Sequence, residues 1–420
     1  MRALHVERMD GTVGENHRPP VVVAGAFQTG VVLMRDLAQH GIRTFCVDCD
    51  SSKQGFRSVY GQAFLCPNPD SASAAWADYM CELAEMLGDK PVLIPSSDMF
   101  VSAIAEHVET LKNYYTLRTE SVATQALLAT KEKQYELAEA NGLRVPRTAT
   151  IANVEQLREF AAQATFPCLI KPLHFREWRS LERNHSLLNQ KVAIADTSTA
   201  LEQQYASVAS VTPIVVLQEI IEGPDTAKLV YLSCYGRGGR RLGSCIVREI
   251  RVTPIFFGSA SVTAPVEDLE TEAMCDAFFQ SIQYEGFCEL ELKRDVRDGK
   301  VRLIEANPRY SVTADAATHA GVELGWLYYR DIVGEASAPP VRWNGRQFHH
   351  VVLQRDVECF RDYLSRGLTT WKEIRESYRF AVFFDFDSKD RRLAWETVQY
   401  LLKELAYPIY RRLFFRGKKS

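Results

Sequence analysis

The sequence predicts an α/β protein: an open parallel α/β domain at its N-terminal end, then mixed α+β segments and a C-terminal extension. Three observations carry this. Apolar runs that end in Gly or Ser loops and open into helix-like stretches recur over 20–118, the pattern of strand–loop–helix–strand units. Beyond Gly223-Pro224 the strands come as hairpins instead. A 46% apolar and 25% charged composition over 420 residues supplies a sizeable core and excludes wholesale disorder.

The elements follow in order. Residues 1–19 are polar and read as a loose arm. The run Val21-Val22-Val23-Ala24 is a strand, Gly25 to Gly30 its loop, and Val31 to His40 a helix. Thr44 to Asp48 and Pro91 to Pro95 are further strands, the latter leading through Ser96-Ser97-Asp98 into a helix over 100–111. The Gly25/Gly30 loop breaks the GxGxxG pattern at Phe27 and so argues against a dinucleotide site. Cys46-Val47-Asp48-Cys49 is formally CxxC, but with no second pair it gives no zinc or redox reading. A helix is expected over 128–141 and another over 153–164. Strands follow at 167–172, 191–195 and 214–219, with a glycine-free polar stretch, 173–190, among them. A hairpin pairs 228–235 with 242–251, a helix spans 267–283, a second hairpin covers 287–307, and 346–420 is a mixed segment with one strand-like run, Phe380 to Phe384.

Charge and cysteine usage bound the function. Lys plus Arg total 50 against 53 acids, a net charge of −3, which argues against broad nucleic-acid binding but leaves room for a local patch. No apolar run reaches the ~18 residues of a membrane helix. The first twenty residues lack a signal-peptide core. Ten cysteines between Cys46 and Cys359 form no disulfide framework, so a reduced, cytoplasmic setting is expected.

The most informative stretch is the second hairpin. Strand alternation puts Glu289, Glu291 and Lys293 on one face, and Glu305 and Asn307 share a face on the return strand. A two-residue Asp298-Gly299 turn would set Glu291 opposite Ala306. A three-residue loop with Gly299 left-handed sets Glu291 opposite Glu305 and Glu289 opposite Asn307. The second is favoured, because only it gathers the polar side chains. Carboxylates directly across a ladder repel, so unless one is protonated, or the face is simply solvated, the pair calls for a cation, and an all-oxygen set of two Glu and one Asn suits Mg²⁺. Arg309, just after Asn307-Pro308, is placed to meet phosphate oxygens.

Ile304-Glu305-Ala306-Asn307-Pro308-Arg309 resembles the E-x-N-P-R motif of the ATP-grasp superfamily, and the likeness runs in order over about 20–330. It implies two α+β subdomains clasping ATP, within 119–345: a lid subdomain at about 148–217 and a C-terminal subdomain at about 218–345. The resemblance implies metal ligands Glu291, Glu305 and Asn307, with Glu289 a second candidate for the first acid. Thr130-Lys131-Glu132-Lys133 resembles the segment whose lysine approaches ATP phosphates, which gives Lys131. The strand Pro167 to Pro172 resembles the one whose lysine contacts phosphate, which gives Lys171. Leu217 to Gly223 is similar to the hinge strand that meets adenine, centred on Glu219 and Ile221 with Gln218, and Asp225 falls at the ribose-binding acid. The glycine-free 173–190, with Arg176, Trp178, Arg179 and Arg183, departs from the common Gly-rich loop. Together with Arg248 to Arg251, Pro254 and Phe257-Gly258 it resembles the D-aspartate ligase-like branch.

What the resemblance implies is an ATP-dependent carboxylate–amine or carboxylate–thiol ligase that uses ATP with Mg²⁺ or Mn²⁺ and passes through an acyl phosphate. Arg309 would stabilise the transferring phosphoryl group, Lys171 would neutralise it, and Arg251 would anchor a substrate carboxylate. An ATP-grasp enzyme of other chemistry (bicarbonate activation or phosphoryl transfer) and a non-catalytic nucleotide-binding protein stay open. The expected partners are a small carboxylate and an amine. The basic, aromatic end, 406–420, is expected to make at most weak membrane contact. A dimer is compatible with the sequence but not specified by it.

Overall fold

A computed structural model describes residues 18–172, 178, 181, 185–188, 192–256, 258–335 and 339–414, the side chains of 131, 132 and 405–414 excepted. The expected arm over 1–17, Arg176, Arg179, Arg183, Lys191, Phe257 and the end of the chain beyond 414 lie outside the described residues. The chain divides into two compact units, Met1–Leu143 with Pro224–Leu292 and Glu305–Ser420, and Arg144–Gly223 with Lys293–Ile304.

The first unit opens with β1 (Val21–Ala24), β2 (Thr44–Asp48), β3 (Gln62–Leu65) and β4 (Val92–Pro95), a parallel sheet in the order β3-β2-β1-β4. All four residues of β1 are buried, as a central parallel strand covered on both faces requires. Its side chains alternate between two cores. Val21 and Val23 join one with Val230, Val247 and Ala316, and Val22 and Ala24 join another with Trp76, Met80 and Phe100. Gly25 has φ +116°, and a Cβ on Gly30 would lie 2.1 Å from the Gly25 carbonyl. Both glycines therefore serve a loop folded tightly against the start of helix Gln28–Ala38.

The expected helix over 100–111 is broken in two, Asp98–Glu106 and Val108–Tyr114. His107 leaves helical geometry between them, and its ring bonds Ser73 Oγ at 2.7 Å. The one over 128–141 forms as Lys131–Ala140; a separate helix, Val122–Ala129, precedes it, because Thr130 turns extended (φ −96°, ψ 117°) and its hydroxyl bonds back to the Ala126 carbonyl, a competition threonine often wins against the helix.

The second unit holds β5 (Thr148–Ile151), β6 (Cys168–Pro172), β7 (Ala193–Ala195) and β8 (Val215–Glu219) in an antiparallel sheet, order β5-β8-β6-β7. Helices Val154–Gln163 and Ser198–Val208 flank it. Trp178, from the glycine-free stretch, is fully buried in this unit's core with Leu157 and Leu217.

The remaining strands build one larger sheet: β9 (Lys228–Gly236), β10 (Arg240–Thr253), β11 (Ser259–Pro265), β12 (Gly286–Arg294), β13 (Val301–Asn307), β14 (Val341–Arg342), β15 (His349–Val351) and β16 (Ala381–Phe383). Their order is β13-β12-β9-β10-β11-β15-β16, with β14 beside β10. The stretch beyond 346 thus adds two strands to the sheet, not just the one run expected. Helices Leu353–Ser365, Trp371–Arg379 and Arg391–Phe414 complete it. Among the described residues no helix is long and apolar enough to cross a membrane.

Candidate active site

The β12–β13 hairpin closes through a four-residue loop, not the expected three. The Asp295 amide donates to the Lys300 carbonyl at 2.9 Å, and the Gly299 amide to the Asp295 carbonyl at 2.8 Å, with Gly299 at φ +70°. An unbroken ladder from that closure would miss the predicted pairing by one residue. The strand is not unbroken. The Leu303 amide donates to the Arg144 carbonyl and the Ala306 amide to Gln134 Oε1. Amides three apart point to opposite sides of a regular strand; here both point off the sheet edge, so one residue is inserted between them as a bulge. The insertion returns Glu305 and Asn307 to the face of Glu289 and Glu291.

On that face Asn307 Nδ2 donates to Glu289 Oε1 at 3.3 Å, and the Ser311 hydroxyl donates to Glu289 Oε2. Both oxygens of Glu289 are thereby engaged. Glu291 makes no hydrogen bond or ion pair among the described residues. Burial pushes its carboxyl up to about 8, with Glu289, Glu305 and Glu249 adding repulsion. Burial likewise pushes Glu249, on β10 two strands from β12, up to about 7; Lys228 opposes this from 3.5 Å. No three His, Cys, Asp or Glu side chains close around one point among the described residues; the predicted set has only two carboxylates and an amide. Crowded, buried acids facing a cavity are what a divalent cation would relieve, so the donor set fits Mg²⁺.

The cavity measures about 470 Å³ and is lined entirely from the first unit. The acids form part of its wall, with Arg309, His350 and Arg355, Phe27 and Thr29 at the start of helix Gln28–Ala38, and Ser96 to Asp98. Arg309 Nε donates to Asp98 Oδ1 at 2.8 Å, and a terminal nitrogen donates to Asn307 Oδ1 at 3.1 Å. These two bonds fix the guanidinium beside the hairpin.

The other predicted residues are placed as follows. Lys171, Gln218, Glu219 and Ile221 belong to the second unit. Gln218 Nε2 donates to Thr148 Oγ1 at 3.0 Å, and Glu219 Oε1 accepts from the Thr165 amide at 2.7 Å. The amides of Glu219 and Ile220 are taken by the Arg147 and Pro167 carbonyls, whereas Ile221's makes no backbone bond among the described residues. Lys131 is the first residue of its helix, and its side chain lies outside the described residues. Asp225, in the first unit, is buried, accepts from Tyr363 Oη and stands 3.5 Å from Lys228 Nζ.

Arg251 corrects the sequence expectation. It is buried at 2% exposure, and Asp356 takes its guanidinium bidentately at 2.9 and 2.8 Å, with Ser377 Oγ at 3.0 Å. A guanidinium so occupied has no fork left for a substrate carboxylate. Sequence reasoning missed Glu249, Lys228, His350 and Arg355. Glu249 stood inside the Arg248 to Arg251 stretch singled out for other reasons; the rest carried no local signal.

A pH dependence follows. The Glu291 carboxyl, ordinarily near 4.5, holds its proton to about 8 in the folded protein. The unfolded chain loses that proton first, so this contribution to stability falls as pH rises between those values. A cation that takes the deprotonated site reverses the loss. Thermal melts with and without MgCl₂ should therefore show a larger Mg²⁺ shift at about pH 8.5 than at about pH 5.5. An equal or smaller shift at the higher pH would show that the cluster is not a cation site.

No family model matches the chain. It is 24% identical over 329 residues to a D-aspartate ligase from Enterococcus faecium, an alignment covering 74% of this chain and 76% of that protein. Its fold is shared by solved structures, two of which follow. N5-carboxyaminoimidazole synthetase from Staphylococcus aureus superposes with a TM-score of 0.61 at 11% identity, over 83% of this chain and 86% of that one. The biotin carboxylase domain of Hydrogenobacter thermophilus 2-oxoglutarate carboxylase, solved with MgADP and bicarbonate, gives 0.57 at 16% identity, over 79% and 74%.

Proposed function

From its similarity in sequence to a D-aspartate ligase and its fold, we propose that this chain is an ATP-grasp protein and an ATP-dependent carboxylate–amine ligase. The observation that carries the reading is the set of mutually repelling carboxylates turned toward one cavity beside Arg309. Glu291, Glu305 and Asn307 hold the metal. Glu289, with its own oxygens engaged by Ser311 and Asn307, orients the Asn307 amide. Bound Mg²⁺ supplies charge neutralisation for the triphosphate. Lys131 and Lys171 bind phosphate oxygens; Glu219 and Ile221, with Gln218, receive adenine, and Asp225 the ribose. Arg309, steadied by Asp98, meets the charge that develops as a substrate carboxylate oxygen attacks the γ-phosphorus and ADP leaves. The acyl phosphate so formed is attacked by an amine, which displaces phosphate and leaves an amide.

Hydroxylamine tests this directly, since it traps acyl phosphates as hydroxamates. A panel of small acids with Mg-ATP and hydroxylamine should give ADP, phosphate and hydroxamate in equal amounts for at least one acid. Phosphate release driven by bicarbonate, or none with any acid, would defeat the reading. Mg-ATP, unlike NADH, should also raise the melting temperature.

A further inference from the structure

His350 lies on β15, a strand that the stretch beyond 346 adds to the large sheet. It is buried, and it stands opposite Thr263 on β11, which in turn stands opposite Glu249 on β10. Residues paired in register share a face of the sheet, so Glu249, Thr263 and His350 form a polar row along the cavity wall. At one end Glu249 is opposed by Lys228. In the middle the Thr263 hydroxyl is buried and makes no hydrogen bond among the described residues. A buried hydroxyl normally has a partner, so this one is left for something that enters the cavity.

At the other end His350 is backed by an acid. Its Nε2 lies 2.7 Å from Asp315 Oδ2, and Arg35 donates to Asp315 Oδ1. Burial raises the Asp315 carboxyl, but Arg35, His350 and His319 outweigh it and hold it well below the usual carboxylate range. An ionised carboxylate only accepts, so Nε2 carries the ring proton and neutral His350 keeps its lone pair on Nδ1. Nδ1 has no hydrogen-bond partner among the described residues. His319 and Asp385 are the other titratable groups that act on the ring. An unengaged hydroxyl beside an imidazole lone pair is what a protonated amine requires: an acceptor to hold it and a base to free its lone pair for attack.

We infer that Thr263 and His350 receive the second substrate, a primary amine arriving as its ammonium ion, with His350 as the general base and Asp315 as the residue that positions it. This rests on the ligase reading and deepens it. Nδ1 takes one N–H proton. The freed nitrogen lone pair forms the C–N bond at the acyl carbon while the C–O bond to phosphate breaks. The nitrogen's second proton leaves with the phosphate as hydrogen phosphate, and His350 returns its own to water.

The test sets two kinds of nucleophile against each other, with Mg-ATP and an acid that gives hydroxamate. Hydroxylamine is largely unprotonated at neutral pH and needs no base; glycine, ethanolamine and lysine are largely protonated and do. His350→Gln, which keeps a donor for Asp315, should cut amide formation about a thousandfold while hydroxamate formation stays within about threefold. Its residual amide rate should climb about tenfold per pH unit between about pH 7 and pH 8.5, as free amine accumulates. Thr263→Val should raise the KM for the amine about tenfold, the loss of one hydrogen bond to a charged group. Equal losses with both kinds of nucleophile in His350→Gln would place His350 before the acyl phosphate or in the fold and overturn the inference. So would an undiminished amide rate; either leaves the ligase reading standing. Should His350→Gln not fold, Thr263→Val decides, and an unchanged amine KM overturns the inference. If no acid gives hydroxamate, the ligase reading fails by itself. In that case, or if none of the three amines is joined, calorimetry with the same amines decides: binding weakened about tenfold by Thr263→Val sustains the amine site, and no binding, or binding the variant keeps, overturns it.

Discussion

Glu305→Gln is expected to lower acid-dependent ADP formation about a thousandfold, the loss of some 4 kcal/mol of charge stabilisation by a bound cation. The substitution keeps size and hydrogen-bonding capacity, so the fold should survive. It should in fact raise the melting temperature of the metal-free protein above pH 7, because Glu305 is one of the charges repelling Glu291. A mere misfolding effect would do the reverse. Asn307→Ala should also abolish turnover, since it removes a ligand and the Arg309 contact together. Near-normal turnover by Glu305→Gln would remove the hairpin from the reaction.

Asp356→Ala carries the largest expected stability effect. Asp356 is fully buried, and besides the Arg251 fork it accepts from Ser261 and Tyr378. Deleting it strands a buried guanidinium and should cost about 3–5 kcal/mol, read as an earlier midpoint in urea unfolding. The double variant Arg251→Met/Asp356→Leu should recover most of that loss, because the penalty lies in the uncompensated charge. An Asp356→Ala midpoint at the wild-type value would mean the fork is not holding the helices beyond 352 to β10.

How much of this was legible in the sequence depended on how far apart the interacting residues lie. The parallel strands and the E-x-N-P-R hairpin are local patterns, and the facing of Glu291 and Glu305 followed from alternation within one hairpin. The loop length was misjudged because the bulge after Leu303 is set by Arg144 and Gln134, residues no local pattern brings there. Arg251 was misread because its partner stands 105 positions away. Arg355 was invisible for the same reason: its partners Gln28 and Ala260 stand 327 and 95 positions away.

The placement of β15 and β16 at the end of the large sheet has a consequence during synthesis. Until residue 349 has left the ribosome, β11 is an open edge with unsatisfied amides and carbonyls, the surface on which chains pair wrongly. Arg35, made near the start, waits for Asp315 and then Asp387, 352 positions later. The first unit therefore closes only after residues 349–387 are made, which leaves its nascent form more open to wrong pairing than a protein whose sheet completes in chain order. Slowed translation near 340–380 would prolong that exposed stage, so it should increase aggregation without changing equilibrium stability.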